Sequence, residues 1–250
     1  HESLAQSAAI AKECKRVCDK LGIEYYFKAS YDKANRTSAN GIRGMGMDAT
    51  LTDFLAIKKQ YNVKTLTDVH DVTQVNAITN QYNDAVDVLQ IPAFLCRQTD
   101  LIKAECATDK VVNIKKGQFV SGEAMKFAVD KVRKTGNNKI ILTERGTSFG
   151  YQDLIVDYRN IPIMQSHGVP VVMDCTHALQ QPNQTAGVTG GNPGMIGTIA
   201  KAAVASGADG LFIETHPDPS KALSDGANML HLDKLEDLLK QLIRIRKAIV

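Results

Sequence analysis

The sequence predicts an α/β fold, a (β/α)8 (TIM) barrel whose first strand lies upstream of residue 1. Two observations predict it: short β-branched runs alternate with helical stretches, and most of these runs are largely apolar with no polar residue at every second position. Continuous apolar runs are typical of parallel strands covered on both faces, and 250 residues is an ordinary barrel length. An open, doubly wound sheet is the alternative. It is disfavoured because no glycine-rich GxGxxG turn follows the early strands.

Seven strand–helix units are predicted after an N-terminal helix, which apolar residues at helical spacing indicate between Leu4 and Leu21. The predicted strands are Tyr25–Lys28, Lys64–Thr67, Val86–Gln90, Val111–Ile114, Lys139–Leu142, Val169–Met173 and Gly210–Ile213. The helices predicted after them are Leu51–Tyr61, Val72–Tyr82, Leu101–Cys106, Gly122–Thr135, Pro162–His167, Pro193–Ser206 and Asp233–Ile249. This order is that of an eight-unit barrel without its first strand. With no long linker, a single catalytic domain over residues 1–250 is expected.

Composition excludes several classes of protein. The 44% hydrophobic and 23% charged fractions are ordinary for a soluble globular protein. A net charge of +3 with scattered cations argues against a nucleic-acid partner. No apolar run approaches the roughly 20 residues of a membrane span. The five cysteines lack paired CxxC spacing, which indicates reduced thiols in a cytoplasmic protein.

Polar side chains follow the carboxyl end of every predicted strand, where (β/α)8 barrels build their active sites. In chain order these are Lys28, Lys33, Asn35 and Arg36; Asp68 and His70; Gln90 and Arg97; Asn113, Lys115 and Lys116; Glu144 and Arg145; Asp174 and His177; and Glu214 and His216. Because the strand ends of a barrel meet at one mouth, we expect these side chains to form an active site.

Two groups of opposite character stand out among the strand-end residues. A cationic group is predicted to bind a small polyanion such as a phosphate ester, and consists of Lys28, Lys33, Lys115 and Arg145. A second group, His177, Glu214 and Asp225, offers one imidazole and two carboxylates to Zn²⁺, Mn²⁺ or Fe²⁺. The residues leave open whether Asp174 and His177 instead support the ligands of a metal without binding it or act as a general acid/base pair, and whether Asp68 and His70 are a structural pair.

Long strings within this pattern resemble the 3-deoxy-D-manno-octulosonate 8-phosphate (Kdo8P) synthase family. The most specific are Gln-Ile-Pro-Ala-Phe-Leu-Cys-Arg-Gln-Thr-Asp-Leu at 90–101 and Asn-Ile-Lys-Lys-Gly-Gln-Phe at 113–119. Further matching segments are Lys28–Ser38, Thr67–His70, Thr143–Tyr151, Asp174–Gln181 and Glu214–Asp225. The resemblance implies condensation of phosphoenolpyruvate (PEP) with arabinose 5-phosphate and water, which gives Kdo8P and inorganic phosphate for lipopolysaccharide synthesis.

The resemblance also implies roles at matching positions. PEP would be bound by Lys28, Lys33, Gln90, Lys115 and Arg145. The sugar phosphate would be bound by Asn35, Arg36 and Thr37, with Arg97 reaching the sugar phosphate of a neighbouring subunit in a homotetramer. The predicted catalytic residues are Lys33, Lys115, Asp68 and His177, and the metal ligands are His177, Glu214 and Asp225. A divalent metal is the implied cofactor of one branch, and no organic cofactor is expected.

One family position is not contained in this sequence, and three other functions are alternatives to the predicted one. The family's fourth metal position, Cys in metal-dependent members and Asn in the others, is expected upstream of His1. A DAHP synthase using erythrose 4-phosphate is the nearest rival; its Lys-Pro-Arg-Thr-Ser motif is one residue shorter than Lys33-Ala-Asn-Arg-Thr-Ser. Two more distant rivals are a Schiff-base aldolase acting through Lys115 and a non-catalytic sugar-phosphate-binding barrel.

Overall fold

The computed structural model describes residues 1–34, 42–151, 153–181 and 190–249. The principal strands are β1 (Tyr26–Lys28), β2 (Lys64–Asp68), β3 (Val88–Ile91), β4 (Val111–Lys115), β5 (Ile140–Glu144), β6 (Val171–Asp174) and β7 (Gly210–Phe212). The helices are α1 (Leu4–Leu21), α2 (Met47–Tyr61), α3 (Val72–Gln81), α4 (Thr99–Cys106), α5 (Met125–Arg133), α6 (Asn160–Gln165), α7 (Ile196–Ala205) and α8 (Leu235–Ile249). One helix followed by seven strand–helix units confirms the predicted fold class.

Helix ends follow local capping chemistry. Ser3 begins α1, and its hydroxyl accepts a hydrogen bond from the Gln6 amide at 3.3 Å. Gly22 ends the helix at φ 69°, where a residue without Cβ is favoured. Asp71 caps α3 in the same way as Ser3, through the Gln74 amide at 2.9 Å. The predicted ends therefore agree with the observed ones to within about one helical turn.

The chain divides into two compact units, His1–Ile114 with Asp130–Ile140, and Lys115–Val129 with Ile141–Val250. In the first unit, β1 to β4 pair in sequential order, all parallel. Its core includes the buried ring of Phe54, which packs edge-on against Phe27 at 5.5 Å between centroids. The prediction of a single domain over the chain stays a prediction.

In the second unit, β5, β6 and β7 pair in order and in parallel. The sequence pattern did not indicate three short strand pairs in this unit, because pieces of two or three residues are too short to show a period. They join Thr147–Phe149 to Asp153–Ile155, Gln180–Gln181 to Gly190–Gly191, and Thr215–His216 to Leu230–His231. No helix among the described residues is long and apolar enough to cross a membrane.

Candidate active site

In the first unit, the ends of β1 and β2 bring a lysine, a serine and a histidine side chain together around Asp68. The Lys28 ammonium lies 3.2 Å from Asp68 Oδ1 and donates to the Ser30 hydroxyl at 2.7 Å. Ser30 in turn donates to the same carboxylate oxygen at 2.6 Å. His70 Nε2 lies 3.3 Å from the other oxygen, Oδ2. The neighbouring strands thus place a lysine and an imidazole on one buried carboxylate.

The charges of this cluster stabilise one another. Burial alone would raise the pKa of Asp68, but the Lys28 charge and the bonds from His70 and Ser30 hold it well below its ordinary value. Burial likewise lowers the pKa of His70, and the neighbouring Asp68 carboxylate more than offsets this, so the imidazole pKa is raised. Asp68 is therefore an ionised acceptor at neutral pH, which suits a residue that orients cations better than one that donates a proton.

Gln90, a further PEP candidate of the first unit, is oriented by its strand neighbour. It is the register partner of Asn113, and both side chains are buried. The Asn113 amide donates to Gln90 Oε1 at 3.1 Å. This bond fixes which end of the Gln90 amide is engaged with the strand β4.

An open cleft of about 390 Å³ in the first unit is lined by residues on either side of the predicted sugar-phosphate segment. Asp32 and Arg43 both line it and form an ion pair with each other. The Lys33 amide donates to the Arg43 carbonyl at 2.6 Å, so Lys33 lies where the chain enters this segment. Asn35, Arg36 and Thr37 themselves lie outside the described residues.

In the second unit, Asp174 is the centre of a buried polar cluster. Its Oδ2 accepts from the Lys115 ammonium at 2.5 Å and lies 2.8 Å from His177 Nδ1. Its Oδ1 accepts from the backbone amides of Thr176 and His177 and from the Thr176 hydroxyl, at 2.8–3.2 Å. The far ring nitrogen of the histidine, His177 Nε2, lies 3.2 Å from Glu214 Oε2.

The electrostatic environment of Asp174 indicates the chemical role of the Lys115 side chain. Burial raises the pKa of Asp174, yet the charges of His177 and Lys115 and their hydrogen bonds hold it well below its usual range. The side chain of Asp174 is 0% exposed and that of Lys115 is 8% exposed. A buried carboxylate at this distance is the environment of an ammonium rather than of a nucleophilic amine. The pairing therefore favours an electrostatic role for Lys115 over Schiff-base chemistry.

Arg145 lies directly after β5 and is only 5% exposed. Its Nη2 donates to Gln180 Oε1 at 2.6 Å, whereas the buried Nη1 has no hydrogen-bond partner within the described ranges. Burial lowers the pKa of Arg145 while Asp174 and Glu144 raise it, and a guanidinium remains charged under any such balance. A buried, charged and unpartnered N–H group is a ready donor for an anionic ligand.

Lys116, the neighbour of Lys115, has a different function, because successive residues of a strand point to opposite faces. Its side chain is 0% exposed, and its ammonium lies 3.1 Å from the Val120 carbonyl and 3.3 Å from that of Gly146. Glu144, 3.4 Å from this ammonium, accepts from the Gly146 amide at 2.7 Å. The buried Lys116 and Glu144 side chains thus bind backbone groups of the segments that follow Lys115 and Arg145, and so fix those segments in place.

The metal candidates are brought together only in part. His177 and Glu214 are neighbours, with Asp174 on the other ring nitrogen of the histidine. Asp225 is half-buried in the left-handed region at φ 53°. No group of three or more His, Cys, Asp and Glu side chains that could hold a metal ion occurs in the part of the chain that is described.

Several residues that shape the clusters carry no predicted role. Ser30 and Phe212 stand in the sequence only as a loop residue and a strand residue. The signal that could have indicated Phe212 is strand register, since it is the β7 partner of Asp174.

Arg97 is exposed, and its carbonyl accepts from Lys131 at 3.1 Å.

Parallel strands that alternate with helices and end in charged side chains place the chain in the (β/α)8-barrel class of α/β enzymes. The chain matches the DAHP synthetase I family over residues 2–250, and it belongs to that family. Proteins named 2-dehydro-3-deoxyphosphooctonate aldolase are its relatives. The one from Desulfotalea psychrophila is 46% identical over 248 residues, 99% of this chain and 87% of the relative. Those from Koribacter versatilis and Xanthomonas campestris pv. campestris are 50% and 49% identical, over 99% and 98% of this chain and 88% and 87% of their own lengths.

Proposed function

We propose that this protein is an enzyme that condenses PEP with D-arabinose 5-phosphate and water, giving 3-deoxy-D-manno-octulosonate 8-phosphate and inorganic phosphate. The relatives at 46–50% identity carry the name of the enzyme for this eight-carbon acid phosphate. Such identity over nearly the whole chain favours this activity over a DAHP synthase and over a non-catalytic sugar-phosphate-binding barrel.

The observation that most directly supports an anionic substrate is the buried guanidinium of Arg145. Its Nη1 has no hydrogen-bond partner among the described residues. Leaving a charged donor buried and unpaired is costly unless a ligand completes it. A carboxylate or phosphate of PEP has the geometry to do so. We assign PEP binding to Lys28, Lys33, Gln90, Lys115 and Arg145.

The chemistry needs positive charge at defined atoms. C3 of PEP attacks the sugar aldehyde and forms the new C–C bond, while water adds to C2. The resulting phosphate hemiketal loses inorganic phosphate by C–O cleavage, which leaves the keto group of the product. Negative charge develops on the aldehyde oxygen during attack, and Lys115, Lys33 and Arg145 are the groups that would stabilise the charged substrate oxygens. Ionised Asp68 and Asp174 keep Lys28 and Lys115 in place.

We assign the sugar phosphate to Asn35, Arg36 and Thr37, with Arg97 acting on the sugar phosphate of a neighbouring subunit in a homotetramer. In support of this, Arg97 is exposed, and so is Phe94, three residues before it in the chain, at 57%. A cytoplasmic location is part of this proposal. All five cysteines are free, buried thiols, in keeping with a reducing compartment.

A divalent metal would be held by His177, Glu214 and Asp225. What supports this is the histidine itself: Nδ1 pairs with the Asp174 carboxylate, and Nε2 points to a second carboxylate, the pattern that orients metal-binding imidazoles. When bound, such an ion supplies Lewis acidity to a carbonyl oxygen or a water. Asp174, through its contact with Nδ1, would orient His177 as a ligand.

Phosphate release tests the proposed reaction. With PEP and arabinose 5-phosphate, the protein is expected to release inorganic phosphate, with kcat/KM at least about tenfold higher than with erythrose 4-phosphate. The discriminating groups are the extra carbon and hydroxyl of the five-carbon sugar. Faster turnover of erythrose 4-phosphate would make the protein a DAHP synthase. Binding of both substrates without phosphate release would leave a non-catalytic barrel.

Chelation tests the metal proposal. Excess chelator is expected to abolish activity, and Zn²⁺, Mn²⁺ or Fe²⁺ is expected to restore it. Metal content measured by mass spectrometry gives a second readout: about one ion per chain in the unsubstituted protein and a clear loss in Glu214→Gln. The matched control is Glu236→Gln, which lies on α8 and pairs with Lys240 at 2.9 Å. Full activity in excess chelator would contradict the metal assignment.

A further inference from the structure

Phe212 at the end of β7 lies directly against the Lys115–Asp174 ion pair. It is the register partner of Asp174 on the neighbouring parallel strand, which places the two side chains on the same face of the sheet. The Lys115 ammonium lies over the Phe212 ring, 4.1 Å from its centroid. The imidazole of His177 lies 5.7 Å from the same centroid at an interplanar angle of 55°. One ring therefore contacts both partners of Asp174.

The geometry is that of a strong cation–π contact. The face of an aromatic ring is negative, and an ammonium within about 6 Å of its centroid is attracted to it. Here the attraction is little screened, because the Lys115 side chain is 8% exposed and that of Asp174 is 0% exposed. The ammonium is consequently held from two directions, by a carboxylate oxygen at 2.5 Å and by a ring face.

A ring holds this ammonium in a way that a second acid could not. The ring attracts the cation through its quadrupole and brings no net negative charge. A second carboxylate in its place would outweigh the charge of Lys115 and repel an anionic substrate. An aliphatic side chain would fill the volume and leave the direction of the ammonium to Asp174 alone.

We propose that Phe212 is a positioning residue of the reaction: its ring face fixes the Lys115 ammonium against Asp174 in the orientation that meets the PEP anion. This inference rests on the proposed role of Lys115. It adds a specific requirement for an electron-rich ring at position 212, which a packing role does not impose.

Progressive fluorination of the ring separates electrostatics from packing, because fluorine withdraws the negative charge of the ring face with little change in volume. Phenylalanines carrying one, two and three ring fluorines would be incorporated at position 212. The expected result is a stepwise fall in kcat/KM for PEP, to about one tenth with three fluorines, a loss of about 1.4 kcal/mol. Phe212→Tyr, which retains a ring face, is expected to retain more activity than Phe212→Leu.

The matched control is the same series at Phe54, a buried ring that packs edge-on against Phe27. An unchanged kcat/KM throughout the Phe212 series, or an equal fall in the Phe54 series, would overturn the proposal. Calorimetric titration with PEP gives a readout independent of turnover, and the dissociation constant is expected to rise in the same stepwise order. If the unsubstituted protein binds PEP and releases no phosphate, the proposed reaction fails while the binding series still decides the role of Phe212. If it does not bind PEP, both fail.

Discussion

Replacing Lys115 by methionine is expected to lower kcat/KM for PEP by about 10²- to 10³-fold, the range for removing one preorganised donor to developing charge. The lysine is 8% exposed and bonded to a fully buried carboxylate, so its charge acts in a poorly screened environment. Asp174 retains His177 and Thr176 as donors after the substitution, so the cluster keeps its other hydrogen bonds. Steady-state kinetics of phosphate release, with PEP varied, measures the effect.

Two further variants sharpen this result. Lys15→Met removes a lysine–aspartate pair of the same length, 2.5 Å, on the exposed surface of α1, and activity is expected to be unchanged. Lys115→Arg keeps a positive charge near Asp174 and is expected to retain part of the activity. A Schiff-base mechanism predicts instead that arginine is as inactive as methionine and that borohydride traps a lysine adduct. Unchanged kinetics in Lys115→Met would contradict the assignment of this residue.

The strand ends could be predicted from the sequence because parallel strands share a direction. Once strands were recognised near Asp68 and Asp174, their polar neighbours His70 and His177 had to follow at the same edge, and both pairs form. The fold class required only the alternation of apolar runs with helices. The predicted cationic group contains Lys115 and not its neighbour Lys116, and strand alternation gives the physical reason for that difference.

Other features depend on contacts between residues far apart in sequence. Register between β6 and β7 brings Phe212 to Asp174, and no local pattern contains that pairing. The position of Asp225 depends on a backbone with φ 53°, which a single aspartate in a loop does not indicate. A ligand set of three residues from different loops could therefore be suggested by residue type alone, while its geometry could not.

The burial of Glu105 is the clearest example of a feature that the sequence does not indicate. It reads as an ordinary polar residue of α4, yet its position one turn after Leu101 places it on the apolar face of the helix, and it is 0% exposed. Both carboxylate oxygens are buried without a hydrogen-bond partner in the described part of the chain. Burial, with the nearby charge of Asp68, raises the pKa of Glu105 well above its ordinary value.

The raised pKa fixes how Glu105 affects stability. Below the ordinary glutamate value of 4.5, both the folded and the unfolded chain are protonated at this residue, so the shift costs nothing. Above 4.5 the unfolded chain ionises while the folded chain stays protonated, which favours unfolding by up to about 1.4 kcal/mol per pH unit. This loss continues until the pH reaches the raised pKa of the folded state. Glu105 therefore destabilises the protein increasingly from mildly acidic to neutral pH.

Glu105→Met is accordingly expected to raise the free energy of unfolding by about 1–3 kcal/mol through loss of the unpartnered polar group, with a larger gain at pH 7 than at pH 5. Glu105→Gln removes the ionisation but keeps buried polar atoms, so it should abolish the additional pH dependence and gain less. Urea unfolding at both pH values measures these differences. Glu13→Gln is the matched surface control, since Glu13 pairs with Arg16 on the exposed side of α1 and should shift stability by less than about 1 kcal/mol. Equal gains for Glu105→Met at the two pH values would show that the carboxyl group is ionised in the folded protein, and no gain would show that a partner satisfies it.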